Sequence, residues 1–407
     1  MNITKGGVCA AKGFKASGVY AGVKDNPTGK FDLALVASDI PADTAAVFTK
    51  NKVKAAPVLV SIDNLKKTGG IINAVILNSK NANACVHDGI ETAKAMCKAT
   101  AEKLKIDTEK VLVCSTGVIG QSLPIDKITA AVPTLIGKLS ENGNADAATA
   151  IMTTDTFKKE YAVEFTLDGK ACRIGGMAKG SGMIAPNMAT TLNVITSDVK
   201  ISPDLLRTAL SDVTEKTYNC LYIDGDMSTN DTIILMANGL AANKFIDSVN
   251  ADYESFKNAL FEVMKNLTIM LAKDGEGASK LLTANVTGAP SFEVGKTVAK
   301  SIIGSDLLKC AMFGEDANWG RILCAIGYAP ADIEISPIEV SLASKRGEIA
   351  VCKNGEGLNF SEETAADILS EYEIEINVNL HQGSESATAW GCDLTYDYVK
   401  INGDYRS

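Results

Sequence analysis

The chain has 407 residues, a length that predicts two or three packed units. Of these residues 46% are hydrophobic and 22% are charged, which is the composition of a globular protein. A net charge of −9 argues against nucleic acid or an anionic membrane surface as the main partner. The first residues lack the apolar stretch of a signal peptide and no run is long enough for a membrane helix, so we expect a cytoplasmic protein.

Ten cysteines and two histidines restrict the chemistry further. No two cysteines have the Cys-x-x-Cys spacing of a metal site. Several, such as Cys114 and Cys324, fall in apolar runs, so we interpret them as buried, reduced thiols. A Ser-His-Asp triad would need His87 or His381, and both lie in polar segments that are typical of exposed loops.

The first 160 residues predict an alternation of strands and helices. Short apolar runs bounded by turn residues predict strands at 33–37, 58–62, 71–77 and 110–114. Apolar residues at helical spacing predict helices over 90–105, 125–138 and 144–152.

Two of these strands are followed by polar residues that could build a site. The strand at 71–77 runs into 78–85, where three asparagines suit either left-handed turns or polar ligands. The strand at 110–114 ends in Ser115-Thr116-Gly117. A hydroxyl beside a glycine N–H can form an oxyanion hole, although the same residues also suit a simple strand-to-helix cap.

A turn-rich stretch, 179–192, follows a predicted hairpin whose turn is Asp168-Gly169. This stretch leads into a β-branched strand at Thr190. A hydroxyl at such a junction can attack the preceding carbonyl and break the chain. Thr190 would then carry a free α-amine beside its own Oγ, which together supply a nucleophile and a base. On this stretch alone, an ordinary loop-to-strand junction is the simpler interpretation.

Beyond the junction, Ser202-Pro203 predicts the start of a helix, and the segment 219–232 is rich in Asp, Asn and Gly but lacks the closing acid of a calcium loop. Glu276 follows a predicted helix at 252–272 and stands between two glycines, which suits either a cationic ligand or a plain turn. The C-terminal third predicts a helix–loop–helix over 309–322, strands at 333–342, 348–352 and 374–380, a helix at 361–371 and a closing strand from 387 onward.

Eight segments carry a further pattern: 78–85, 115–120, 152–155, 179–192, 224–232, 275–280, 318–321 and 387–401. In this order, and on a chain of this length, they resemble the ornithine acetyltransferase family, also called glutamate N-acetyltransferase, of arginine biosynthesis. Lys80 departs from the pattern, because the family often has glycine there.

The resemblance implies an α/β fold in which two β-sheets lie between helices, with an N-terminal nucleophile. It implies self-cleavage between Ala189 and Thr190 into an α chain (1–189) and a β chain (190–407). Thr190 would be the nucleophile, and Thr116 with Gly117 the oxyanion hole. The substrate-contacting positions of the family fall on Thr153, Lys179, Thr190, Glu276, Asn402 and Ser407.

The resemblance also implies the reaction and the assembly. Acetyl would pass from N-acetylornithine to glutamate without a metal or an organic cofactor, in a heterotetramer of two α and two β chains. The sequence leaves open whether acetyl-CoA is a second donor. Two alternatives also stay open: a self-processing amidohydrolase or aminopeptidase that uses water as acceptor, and a binding protein that never cleaves.

Overall fold

The computed structural model describes residues 1–24, 30–185 and 191–404, and their packing divides the chain into two compact units. Unit 1 is built from the described parts of Met1–Gly180, Asn187–Glu215 and Met227–Leu267. Unit 2 is built from the described parts of Ser181–Pro186, Lys216–Asp226 and Thr268–Ser407. The expected division into 1–189 and 190–407 concerns the covalent chain rather than packing, and it stays a prediction.

In chain order the strands are β1 Asn2–Ile3, β2 Phe14–Val19, β3 Leu33–Phe48, β4 Ile71–Asn78, β5 Val111–Ser115, β6 Lys159–Leu167, β7 Lys170–Lys179, β8 Leu192–Ser197, β9 Leu221–Tyr222, β10 Thr232–Ala237, β11 Leu281–Ala289, β12 Glu339–Ser344, β13 Gly347–Lys353, β14 Glu356–Gly357, β15 Glu373–Asn379 and β16 Glu385–Cys392. The helices are α1 Ala56–Thr68, α2 Gly89–Leu104, α3 Ile125–Gly137, α4 Asn144–Ala150, α5 Pro203–Lys216, α6 Ala251–Lys273, α7 Phe292–Ile303, α8 Asp306–Phe313, α9 Trp319–Gly327, α10 Glu362–Leu369 and α11 Tyr396–Asp404.

Within the described part of unit 1, nine strands form one sheet in the order β1-β6-β7-β8-β10-β3-β4-β5, with β2 paired to β3. The pairs β4–β5 and β8–β10 are parallel. Alternate residues of β3 enter two separate cores: Leu33 and Leu35 pack with residues of α1, α2 and α3, whereas Ala34 and Val36 pack with residues of α4. Burial of both faces explains why these strands are continuous apolar runs rather than alternating ones.

The described strands of unit 2 form a sheet in the order β14-β13-β12-β15-β11-β16-β9. Here the pattern alternates: Ile374, Ile376 and Val378 of β15 are buried, while Glu373 and Glu375 are exposed. One face of the sheet is therefore apolar, and α7 packs against β11 and β16. The α/β class with two sheets that the sequence predicted is confirmed.

One predicted strand is wrong. Residues 58–62 lie in α1, although their β-branched composition favours a strand. Pro57 fits the first turn of the helix, and two polar side chains fasten the helix to β5: Ser61 donates to the Val113 carbonyl at 2.8 Å and Asn64 to the Val111 carbonyl at 2.8 Å. Contacts about fifty residues away along the chain thus override the local propensity.

The closing strand is correct only to Cys392. The chain then forms α11, whose start is fixed by Thr395, which accepts from the Asp397 N–H at 3.2 Å. The predicted strand at 333–342 begins only at Glu339.

The cysteines and histidines largely follow expectation. Cys114 is buried, but Cys324 is exposed, because it lies on the outer side of the amphipathic helix α9. His87 and His381 are exposed. None of the helices in residues 1–24, 30–185 and 191–404 combines the length and apolar composition needed to cross a bilayer.

Candidate active site

In unit 1, the chain segments that leave β4 and β5 are hydrogen-bonded to each other. The Thr116 N–H donates to the Asn78 carbonyl at 3.0 Å, and the Val118 N–H donates to the Lys80 carbonyl at 2.9 Å. Parallel pairing of β4 with β5 brings Asn78 beside Ser115, so both segments begin at the same point of the sheet. The polar segments that the sequence predicted after these two strands are therefore joined by hydrogen bonds at one edge of the sheet.

At Gly117 the loop after β5 lies very close to the backbone that leaves β4. The φ of Gly117 is +129°, and an added Cβ would lie 2.1 Å from the carbonyl carbon of Lys80 and 2.5 Å from the Asn81 nitrogen. Only glycine fits such a position without displacing the backbone. Within the described ranges no residue accepts a hydrogen bond from the Gly117 N–H, so this donor is available to a ligand.

Lys80 adopts a left-handed backbone conformation with φ of 79°. This conformation is unfavourable for a residue with a Cβ, whereas glycine adopts it without steric cost.

Asn230 is hydrogen-bonded to the same loop, and no local sequence pattern marks it for this role. Its Nδ2 donates to the Ser115 carbonyl at 2.8 Å and to the Ala82 carbonyl at 2.6 Å, so one amide bridges the two strand exits. Asn230 is buried. The residue precedes β10, and its contacts span more than a hundred residues of chain, which is why local pattern could not reveal them.

Lys179 is the last residue of β7 and pairs with Leu192 at the start of β8. Its side chain is almost fully buried, with 9% of the residue exposed. The ammonium donates to Thr116 Oγ1 at 3.1 Å. The structure thus brings together three of the predicted site residues: Thr116, Gly117 and Lys179.

Asp155 links this group to the predicted substrate-contacting Thr153. Its carboxylate accepts from the Thr153 N–H at 2.9 Å, from the Gly180 N–H at 2.7 Å and from the Lys159 ammonium at 2.7 Å. Burial acts to raise the pKa of Asp155, but the charges of Lys179 and Lys159 and these hydrogen bonds outweigh it and lower the pKa to about 2. Asp155 is therefore ionised at neutral pH, which its local sequence does not indicate.

In unit 2, Glu276 and Asn402 are in contact. Asn402 Nδ2 donates to Glu276 Oε2 at 2.8 Å, and the Glu276 N–H donates to the Ser181 carbonyl at 2.9 Å. An added Cβ on Gly182 would lie 2.4 Å from Glu276 Oε2, so glycine leaves room for this carboxylate. Two further predicted substrate-contacting residues are thus neighbours.

The chain segment after Gly182 is fastened by Asp224, also in unit 2. Its carboxylate accepts from the Met183 N–H at 2.6 Å and the Ile184 N–H at 2.8 Å. Asp224 lies in the segment 219–232, whose composition resembles a calcium loop without the closing acid. In the structure this carboxylate is occupied by backbone donors instead.

Both sides of the predicted cleavage point are held by backbone hydrogen bonds. The Ala185 N–H donates to the Asp226 carbonyl, and the Thr191 carbonyl accepts from the Thr232 N–H, each at 2.9 Å. The predicted cleavage residues Ala189 and Thr190, and the predicted substrate contact Ser407, lie outside the described residues. Within unit 1, Thr116, Gly117 and Lys179 form a donor cluster, and within unit 2, Glu276 and Asn402 form a carboxylate–amide pair.

This arrangement has a definite chemical capacity. A glycine N–H and a threonine hydroxyl on one turn can stabilise negative charge on a carbonyl oxygen under attack. A buried ammonium beside them can also attract a carboxylate. In unit 2, a carboxylate braced by an amide suits a cationic group.

Known proteins similar to this chain carry a consistent name. A profile of the ArgJ family matches residues 15–407. The arginine biosynthesis bifunctional protein ArgJ of Caldanaerobacter subterraneus subsp. tengcongensis is 49% identical over 408 residues, which covers 100% of both chains.

Two solved structures are also similar in sequence. The arginine biosynthesis bifunctional protein ArgJ from Bacillus halodurans is 44% identical and covers 52% of this chain and 97% of that chain, with a TM-score of 0.49. The ornithine acetyltransferase from Mycobacterium tuberculosis, complexed with ornithine, is 43% identical and covers 46% of this chain and 98% of that chain, with a TM-score of 0.42.

Proposed function

The chain belongs to the ArgJ family, and we propose that it is a glutamate N-acetyltransferase of arginine biosynthesis that moves acetyl from N-acetylornithine to glutamate through an acetyl-Thr190 intermediate. The observation that carries this proposal is the 49% identity, over the full length of both chains, to a bifunctional arginine-biosynthesis protein. The hydrogen-bond donors at Thr116 and Gly117 support it, because acyl transfer needs such donors.

In the first step, Thr190 Oγ attacks the acetyl carbonyl carbon of N-acetylornithine, and the Thr190 α-amine takes the hydroxyl proton. An α-amine with an ordinary pKa of about 7.7–8.0 is a suitable base near neutral pH. The Thr116 hydroxyl and the Gly117 N–H stabilise the oxyanion. The amide C–N bond then breaks, ornithine leaves with the proton, and acetyl remains as an ester on Thr190.

In the second step, the α-amine of glutamate attacks the ester carbonyl, and the ester C–O bond breaks. The proton from that amine returns through the Thr190 α-amine to Oγ, which restores the enzyme. Water competes with glutamate for the ester, so the reaction requires a site from which water is excluded.

The two groups of site residues have separate roles in this scheme. Lys179 attracts the α-carboxylate that donor and acceptor share. Glu276, braced by Asn402, receives the side-chain ammonium of ornithine. Because the side chain of glutamate is an anion, a cation must compensate Glu276 in the second step, and Lys80 is our candidate for that role.

We extend the proposal to maturation and assembly. Thr190 would act only after self-cleavage has produced chains 1–189 and 190–407, and two of each would form the cytoplasmic enzyme. No metal or organic cofactor takes part in the scheme. Since the Caldanaerobacter relative is named bifunctional, we propose acetyl-CoA as the second acetyl donor.

An assay of the purified protein tests the function directly. With N-acetylornithine and glutamate, it should form N-acetylglutamate and ornithine in equal amounts. Acetyl-CoA replacing N-acetylornithine tests the second donor separately. Thr190→Ala should remain a single inactive chain. Release of free acetate without N-acetylglutamate would identify an amidohydrolase instead, and no reaction with either donor would reject the proposal.

A further inference from the structure

The contact between Lys179 and Thr116 links a predicted substrate-binding residue to the oxyanion hole. Lys179 Nζ donates to Thr116 Oγ1 at 3.1 Å, and 63 residues separate the two along the chain. Lys179 is buried at the end of β7, where its backbone is fixed by pairing with Leu192. The ammonium therefore extends from a fixed backbone position and is largely shielded from solvent.

The direction of this hydrogen bond determines what the Thr116 hydroxyl can do. An ammonium has three donors and no acceptor, so Thr116 Oγ1 must be the acceptor. The hydroxyl keeps its single proton, and no described residue accepts it. The proton is therefore available to a ligand, together with the neighbouring Gly117 N–H.

The ammonium also changes the strength of that donor. A hydroxyl whose oxygen accepts from a cation becomes a better donor, because hydrogen bonds in a chain polarise one another. Asp155 keeps the cation in place: its carboxylate attracts Lys179 electrostatically and accepts from the N–H of Gly180, the next residue. The charge of Lys179 and its fixed position thus both strengthen the Thr116 hydroxyl as a hydrogen-bond donor.

We propose that Lys179 is a positioning residue of the oxyanion hole, whose ammonium orients and polarises the Thr116 hydroxyl toward the reacting carbonyl oxygen. This inference rests on the acetyl-transfer function proposed above and deepens it. It does not exclude a contact of Lys179 with the substrate carboxylate, because one ammonium has three N–H groups. The two roles differ in the kinetic constant that they affect.

A double-mutant cycle separates the two roles. The variants are Lys179→Met, Thr116→Val and the double variant, with kcat and KM measured on cleaved protein. Thr116→Val should lower kcat about 10²–10³-fold, as the loss of an oxyanion-hole donor does. Lys179→Met should lower kcat about tenfold when Thr116 is present and less than about twofold when it is valine, because coupled residues are not additive.

Two controls make the result specific. With Thr116→Ser, which keeps a hydroxyl, Lys179→Met should again cost about tenfold in kcat. Lys158→Met removes a more exposed lysine that pairs with Glu160, and it should leave both constants unchanged. If Lys179→Met does not cleave itself, all variants are produced by co-expressing two separate chains, 1–189 and 190–407. Removal of the initiator methionine from the second chain then exposes Thr190.

The outcomes are distinct. Losses in kcat that multiply across the cycle would overturn the inference, as would a Lys179→Met effect confined to KM, which is expected from carboxylate binding alone. If wild-type protein forms no N-acetylglutamate, the proposed function itself is wrong and the inference falls with it. An active wild type with a non-additive cycle supports both.

Discussion

Gly117 and Asp155 show how single residues shape the donor cluster. The missing side chain of Gly117 lets the loop after β5 approach the Lys80 backbone, and the Asp155 carboxylate connects the Thr153 loop to the end of β7. Gly117 acts because it has no side chain, and Asp155 acts through its charge. Substituting Gly117 should therefore affect catalysis, whereas substituting Asp155 should affect the pH dependence of stability.

We predict that Gly117→Ala lowers kcat by about a hundredfold, because the added Cβ displaces the backbone that carries the N–H of the proposed oxyanion hole. Gly120→Ala is the matched control. Gly120 lies on the same loop with a positive φ of 83°, but a Cβ there meets no atom within 4 Å. Steady-state kinetics should show near-normal kcat for Gly120→Ala; equal losses in both variants would mean that backbone strain, not the donor, is responsible.

Asp155 should make the free energy of unfolding depend on pH in the acid range. Its pKa is about 2 in the folded protein and 3.8 as the ordinary value, so the stabilisation is fully present above about pH 4 and is lost as pH falls through about 2. The shift corresponds to about 2 kcal/mol. Denaturant unfolding at several pH values should show that Asp155→Asn removes this part of the acid dependence. An unchanged dependence in the variant would contradict the shift.

At the scale of elements, α11 is notable because it has no buried residue yet carries Asn402. We predict that removing residues 402–407 abolishes turnover but leaves cleavage at Ala189 intact, since only turnover needs the contact with Glu276. Intact mass and an acetyl-transfer assay measure the two events. Lys400 is exposed on the same helix, so Lys400→Ala should leave both cleavage and turnover unchanged. Normal turnover after truncation would remove the helix end from the site.

The elements also show what the sequence could reveal. Strands β4 and β5 were predictable because burial on both faces leaves uninterrupted apolar runs. The residue types of Ser115-Thr116-Gly117 left an oxyanion hole and a strand-to-helix cap open, and the oxyanion hole stays a prediction. Helix α1 was not predictable locally, because Ser61 and Asn64 are fixed by β5. The roles of Asp155 and Asn230 likewise depend on partners that only the fold brings near.

At the scale of the whole molecule, the proposed cleavage point and the packing units divide the chain at different places. Unit 1 contains described residues from both sides of Ala189–Thr190. We predict that purified protein consists of fragments of 189 and 218 residues (407 − 189), which elute together in gel filtration and separate only on unfolding. Mass spectrometry under native and denaturing conditions checks this. An intact but active wild-type chain would refute the cleavage mechanism.

The pairing of the unit 1 sheet has a consequence for how the mature protein is made. Strands β8 and β10 lie after the proposed cut, yet they sit between β7 and β3, which lie before it, with six residue pairs on each side. Neither fragment could complete this sheet alone, so fragments should not exchange between molecules. A single translated chain would deliver both in equal number, and the cell would need no separate means of balancing their synthesis.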